Sequence, residues 1–107
     1  MALFSCGWLN GTVEMSEERE QHIAERHPDF LPEHRALIAE TLADPDQIRR
    51  SVRFGSARLF SRWYADLKNG KHVVVVVVSE IANERHWIIT AYIARKLTEG
   101  EAEWQRN

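Results

Sequence analysis

The period of the apolar residues changes near residue 46, and this change limits the folds that the chain can adopt. Before it, Glu33–Ala43 has its apolar residues on one helix face. After it, Ala57–Tyr64 and His86–Ile93 alternate with a period of two, which is typical of strands. The valine run Val73–Val78 between them is typical of a central strand that is buried on both faces.

Capping and turn residues indicate how these elements follow one another. Ser16 is a good N-cap for a first helix, which ends before Pro28 because proline excludes its predecessor from the helical region. A strand is expected over residues 48–53, and Asn69-Gly70 favours the type I′ turn of a β-hairpin. This order predicts an α+β fold, in which two N-terminal helices pack on one face of a four-stranded antiparallel β-meander.

The alternation also predicts which side chains share a face of the sheet. The apolar face is expected to meet the helices, and it carries Leu59, Trp63, Trp87, Ile89 and Ile93. The opposite, polar face carries Arg62, Tyr64, His86, Thr90 and Tyr92. A polar face that combines arginine, histidine and tyrosine is a candidate binding surface.

Length and composition indicate one domain. The 107 residues suit a single core, which we expect over about residues 14–96, with a polar tail at 97–107. Cys6 is the single cysteine and has no partner for an internal disulfide. No segment has a signal-peptide pattern or the length of a membrane span. We therefore expect a cytoplasmic protein with no membrane partner, although a toxin domain delivered from another cell would have the same composition.

Charge is divided unevenly along the chain, although the net charge is only −2. Residues 1–46 carry 3 basic and 10 acidic residues, a net of −7, whereas residues 47–96 carry 10 basic and 3 acidic residues, a net of +7. A basic segment of this kind attracts phosphate groups. The alternative is that the helices and the sheet neutralise each other across the fold.

The densest group of candidate catalytic residues lies at the end of the first helix. His22 and Arg26 are four residues apart and share a helix face, and His27 follows them. Two histidines and an arginine supply an acid, a base and a phosphate ligand. The alternative is that they only cap the helix end. The spacing of the two histidines differs from the i, i+4 pair of zinc metalloproteases, so we expect no metal site.

Strand residues supply a second candidate group. Thr90 and Tyr92 project to the same side of the last strand, and both have hydroxyl groups that bind phosphate oxygens. Arg58, Arg62 and Tyr64 share one side of an earlier strand. The alternatives are that threonine and tyrosine are good strand formers and that the arginines solvate a sheet edge.

The order of these motifs resembles that in a family of small ribonucleases. Over residues 14–96 the chain contains, in sequence, His22-x-x-x-Arg26-His27-Pro28, the strand Arg58–Tyr64, the valine run and Ile88-x-Thr90-Ala91-Tyr92. This series resembles the phage- and toxin-associated domains of the barnase–EndoU–colicin E5/D–RelE-like superfamily. The resemblance implies a metal-independent endoribonuclease without a cofactor, in which the RNA 2′-hydroxyl attacks the adjacent phosphate and leaves a 2′,3′-cyclic phosphate.

The resemblance also implies catalytic roles: a general base, two arginines that stabilise the phosphorane charge, and two hydroxyl groups that orient the phosphate or protonate the leaving group. These are His22 or His27 as the base, Arg26 and Arg62 as the arginines, and Thr90 and Tyr92 as the hydroxyl groups. Other basic and aromatic side chains are expected to bind the RNA strand. They are Arg53, Arg58, Tyr64 and His86.

RNA is therefore the expected partner, together with an acidic inhibitor protein that covers the basic face in a host cell. Two other functions also fit the sequence. One is a non-catalytic nucleic-acid-binding module on the same scaffold. The other is a protein-interaction domain that adds a strand to a partner at a sheet edge.

Overall fold

A computed structural model describes residues 1–53, 56–98 and 100–106, and within them two helices accompany a seven-stranded sheet. The strands are β1 (Ala2–Cys6), β2 (Gly11–Met15), β3 (Gln47–Arg50), β4 (Ala57–Tyr64), β5 (Lys71–Glu80), β6 (Arg85–Ala94) and β7 (Glu101–Gln105). The helices are α1 (Glu17–Arg26) and α2 (Ala36–Ala43). The order of the strands in the sheet is β1-β2-β6-β5-β4-β3-β7. The α+β class fits, but the predicted four-stranded meander is wrong because the sheet extends beyond it at both edges.

The added strands come from the two ends of the chain. At one edge, β1 and β2 form an antiparallel hairpin, and β2 joins β6 in parallel through the pair Glu14–Trp87. At the other edge, β7 pairs antiparallel with β3. All five residues of β7 are exposed, and its alternating apolar positions are limited to Ala102 and Trp104, a short pattern that the prediction of a polar tail overlooked.

Both helices begin and end near the predicted positions. The Ser16 hydroxyl accepts a hydrogen bond from the Arg19 backbone N–H at 3.1 Å, which caps α1. The His27 backbone N–H donates to the Ile23 carbonyl at 2.7 Å and closes the last turn before Pro28. Turns occupy the stretch up to α2, which starts three residues later than the predicted Glu33. Neither helix among the described residues has the length and apolar character needed to cross a bilayer.

Apolar side chains pack on both faces of the sheet. The larger cluster lies on the face that α2 covers, which we call the helix face; it includes Phe30, Ile38, Leu42, Phe60 and Val75. The smaller cluster lies on the opposite face, which we call the pocket face; it includes Leu59, Val74 and Val76, with Ile89 and Tyr92 packed against it.

The predicted assignment of the two sheet faces is therefore wrong. Leu59 and Ile89, which were expected to meet the helices, lie on the pocket face. Tyr64, expected on the polar face, packs against the larger cluster on the helix face. Ile93 also packs there, and this position agrees with the prediction. The physical reason is that both faces carry apolar side chains, so alternation alone does not identify the face that the helices cover.

A β-bulge in β6 changes the alternation within that strand. Val76 pairs with Thr90, whereas the next residue, Val77, pairs with Ile88. Ile89 is therefore the extra residue, and two residues of β6 oppose one residue of β5. A bulge of this kind turns both of its residues to the same side of the sheet. It brings Thr90 to the pocket face beside Ile89, while Ile88 remains in the core of the helix face.

Helix α1 and the last connection border the pocket face. Helix α1 packs against β6 and places Ile23 in the larger cluster, which leaves its polar side beside the pocket face. The connection from β6 to β7 crosses this face, where Leu97 packs against the smaller cluster. Gly100 begins the return to the sheet with φ +85°, and a Cβ there would lie 2.4 Å from the Arg50 carbonyl oxygen. Only glycine fits this close approach.

Candidate active site

A pocket of about 440 Å³ lies between the C-terminal end of α1 and the pocket face of the sheet. Its polar lining combines side chains from the helix, from β6 and from the segment after β3. These residues are His22, Arg26, His27, Ser51, Arg53, Thr90 and Tyr92. The structure thus brings together five of the six residues to which the resemblance assigns catalysis, and Arg53 from the predicted RNA-binding group.

Helical spacing explains why the α1 residues enter the pocket together. Ile23 is fully buried in the core, so α1 is fixed in its rotation about its own axis. His22 and Arg26 lie one turn apart on the neighbouring stripe and line the pocket. His27 leaves the helical conformation, with φ −130° and ψ 67°, and its ring reaches the same pocket.

An aromatic contact within the pocket joins the helix end to β6. The ring centroids of His27 and Tyr92 are 5.7 Å apart, with an angle of 36° between the ring planes. An imidazole therefore lies beside a phenol in a depression that is accessible from solvent. These two groups can take up and donate protons at a molecule bound between them.

The floor of the pocket is apolar. Leu59, Val76 and Ile89 line it, and all three belong to the smaller apolar cluster or pack against it. The bulge residue Ile89 covers this floor while its neighbour Thr90 presents a hydroxyl group to the pocket. An apolar floor beside charged walls strengthens the electrostatic interactions of any group that binds there.

The charge of the pocket comes from Arg26 and Arg53. Within residues 1–53, 56–98 and 100–106, neither guanidinium group forms an ion pair with an acidic side chain. The segment that carries Arg53 is ordered by its backbone N–H, which donates to the Ser51 hydroxyl at 3.1 Å. Ser51 is itself held to the start of β4 through a hydrogen bond to the Ala57 carbonyl.

Most other arginines are neutralised within the fold. Arg35 pairs with Glu20, Arg50 and Arg58 with Glu103, Arg62 and Arg106 with Asp44, and Arg85 with Glu14. Two of these pairs, Arg62–Asp44 and Arg85–Glu14, join the basic segment to the acidic one, so the alternative explanation accounts for part of the charge division. The two pocket arginines are exceptions to it.

Arg62 does not line this pocket. Its Nη1 donates to the Asp44 carbonyl oxygen at 3.0 Å and to Asp44 Oδ2 at 3.1 Å, and its guanidinium lies over the Tyr64 ring. The Tyr64 hydroxyl donates to Glu40 Oε1 at 3.2 Å, and burial raises the pKa of this phenol. Both side chains thus connect β4 to the α2 region, on the far side of the sheet.

Arg58 and His86 also lie outside the pocket lining. Arg58 contacts Glu103 of β7 and lies over the Trp8 ring, at 5.2 Å from its centroid. His86 Nδ1 is 2.7 Å from the Ser79 hydroxyl oxygen, a hydrogen bond between neighbouring strands. These contacts give each residue a structural role in the sheet.

Ser51 is the polar lining residue that the sequence analysis did not single out. Its signal was present, because Arg49, Ser51 and Arg53 alternate along the first basic segment and therefore share a side. Arg49 lines a neighbouring depression on the same sheet face. The arginines were noticed in the sequence, whereas the small residue between them was not.

Comparisons with protein-family models, with curated proteins and with solved structures give no match for this chain. In the part of the chain that the structure describes, no group of three or more His, Cys, Asp or Glu side chains is arranged to hold a metal ion. The chemistry of the pocket must therefore be argued from its own side chains.

Proposed function

We propose that this protein is a metal-independent endoribonuclease whose active site is the pocket between α1 and β6. The observation that carries the proposal is the convergence of two histidines, Thr90 and Tyr92 with two arginines that have no acidic partner among the described residues. General acid–base groups beside uncompensated positive charge are what transesterification at a phosphodiester requires.

The reaction forms one bond and breaks another at the same phosphorus atom. His27 removes the proton from the 2′-hydroxyl, and the 2′-oxygen attacks the phosphorus. The bond from phosphorus to the 5′-oxygen of the next nucleotide breaks, and that oxygen takes a proton from Tyr92. His27 is the better base because it lies beside Tyr92, and His22, one turn earlier, is the second candidate.

The remaining polar residues bind the phosphate. Arg26 and Arg53 approach it from the helix side and from the strand side of the pocket, and they stabilise the charge that develops on its oxygens. The Thr90 hydroxyl, which the bulge turns into the pocket, donates to a non-bridging oxygen. Arg62 has no part in this scheme, because it is paired with Asp44 outside the pocket.

Variants of the pocket test this proposal. Purified protein is incubated with a mixed-sequence RNA in EDTA, alongside H27A, Y92F and the control H34Q. His34 stacks on Phe30 and lies outside the pocket lining. H27A and Y92F each remove an acid or base group and should lower the cleavage rate by about 100-fold or more, whereas H34Q should keep the wild-type rate. Absence of cleavage by wild type, or equal cleavage by all four proteins, would overturn the proposal.

A non-catalytic RNA-binding module is the second candidate, and the positive charges of Arg26 and Arg53 in the pocket lining favour it. It predicts that wild type binds RNA in a salt-dependent manner and leaves it intact. In either case the expected setting is the cytoplasm. If the protein is a ribonuclease, we expect it to act as a toxin or a phage-borne effector, and an acidic inhibitor protein would then protect the host by covering these arginines.

A further inference from the structure

A second basic surface lies at the end of the sheet where β4 turns into β5. Four cationic side chains meet around a depression there, together with the turn residues Asn69 and Gly70. They are Lys68, Lys71, Arg95 and Lys96, and we call this surface the hairpin patch. The pocket described above does not include it.

Strand register explains why these cations meet. Lys71 pairs with Tyr64 at the start of β5, and the next residue, His72, pairs with Ala94 at the end of β6. The residues that follow Ala94 therefore emerge beside the hairpin. The Lys71 ammonium donates to the Lys68 carbonyl at 2.6 Å, and within the described ranges none of the four cations forms an ion pair.

An exposed aromatic pair borders the hairpin patch. Trp63 is 47% exposed, and its ring centroid lies 4.9 Å from that of His72. Gly70, at φ +97°, leaves room for the indole, since a Cβ at this position would lie 2.6 Å from Trp63 Cζ2. Burial lowers the pKa of His72, which favours the neutral ring at neutral pH. A fixed aromatic surface beside cations suits an unpaired nucleotide base and its phosphate.

A third depression lies between the hairpin patch and the pocket. It shares Tyr92 and Leu59 with the pocket and Lys96 with the hairpin patch. Along β6, the four residue steps from Thr90 to Ala94 span about 13 Å at the usual rise of a strand. A single RNA strand can therefore follow β6 from one surface to the other.

We propose that the hairpin patch binds the same single-stranded RNA beyond the cleaved bond, with its cations on phosphates and a base stacked on Trp63. The proposal rests on the function proposed above, because that function supplies the strand. Adjacent aromatic and cationic groups favour RNA over a protein or a lipid surface, since both base stacking and phosphate binding are provided.

RNA length tests the proposal through binding alone. A dinucleotide has the single phosphodiester that the pocket binds, whereas a dodecanucleotide also reaches the hairpin patch; both are synthesised with 2′-O-methyl groups so that no cleavage occurs. Wild type should bind the longer RNA more tightly. The variant K68Q/R95Q/K96Q should bind both lengths almost equally, with its affinity for the dinucleotide unchanged.

Two further variants test whether the effect depends on the position of the lost charges and on base stacking at Trp63. R19Q/R35Q/R85Q removes three positive charges away from the patch and should keep the preference for the longer RNA. W63L should weaken binding of the dodecanucleotide about fivefold or more, at unchanged thermal stability.

The results are separable from those of the cleavage assay. A wild-type protein that prefers the dodecanucleotide but never cleaves RNA would refute the nuclease proposal and support RNA binding by the hairpin patch. RNA binding by the hairpin patch is refuted if the K68Q/R95Q/K96Q variant keeps the wild-type preference for the longer RNA, or if wild type shows no such preference.

Discussion

Replacing the two pocket arginines should change how RNA binding depends on salt. In R26Q/R53Q, both side chains keep hydrogen-bond donors but lose their positive charge. Each phosphate contact with a single strand contributes about −0.7 to the slope of the logarithm of the binding constant against the logarithm of the salt concentration. Loss of two contacts therefore makes the slope less steep by about 1.4. Over a fourfold increase in salt, wild type should lose about sevenfold more affinity than the variant.

The control for this experiment removes the same charge from another part of the surface. R35Q/R85Q also deletes two guanidinium groups, but each of these is paired with a glutamate in the folded protein. Binding of a fluorescent 2′-O-methyl tetranucleotide is followed by anisotropy over a series of salt concentrations. The reasoning is refuted if R26Q/R53Q keeps the wild-type slope, or if R35Q/R85Q loses as much of it.

Three further predictions concern stability. F30A should lower the free energy of unfolding by about 3–5 kcal/mol in urea denaturation, because Phe30 is fully buried among the helix-face residues; a loss below about 1 kcal/mol would contradict this packing. G70A should be less stable than wild type by about 1 kcal/mol or more, since alanine is strained at φ +97° and contacts the Trp63 ring; an unchanged melting temperature would count against this geometry. Hydrogen bonds from Arg50 and then Arg58 lower the pKa of Glu103 below its usual 4.5. The ionised carboxylate therefore stabilises the fold above about pH 4.5, and this stabilisation is lost as the pH falls through the lower folded-state pKa. E103Q should melt at a lower temperature than wild type at pH 7, and this difference should shrink in acid.

Local sequence signals predicted the helical part of the fold well. Ser16 and Pro28 mark the two ends of α1 because capping and proline geometry act within a few residues. The same locality applies to the histidine cluster. Once Ile23 is assigned to the core, helical spacing places His22 and Arg26 on a neighbouring side.

The sheet was less predictable because its features depend on distant pairings. Strand β7 is exposed throughout and pairs with β3, and its own alternation is limited to Ala102 and Trp104, which is too short to indicate a strand by itself. The bulge at Ile89 appears only in the pairing with β5, yet it decides the side on which Thr90 lies. A one-residue shift of this kind reverses every later side chain relative to simple alternation.

The arginines also differ in ways that depend on contacts between residues far apart in the sequence. Arg62 and Arg53 look alike in the sequence, and both belong to the basic segment. Asp44 neutralises Arg62, whereas Arg53 reaches the pocket without an acidic partner among the described residues. Which arginine is available to a phosphate is thus decided by tertiary contacts.

The chemical nature of the cleavage products tests the central claim most directly. A defined RNA is incubated with wild-type protein in EDTA, and the 3′ ends of the fragments are identified by mass spectrometry. The account predicts 2′,3′-cyclic phosphate ends, and no cleavage at a position where a single 2′-deoxynucleotide replaces the attacking nucleotide. Fragments with 3′-hydroxyl ends, cleavage at the deoxynucleotide, or intact RNA would contradict it.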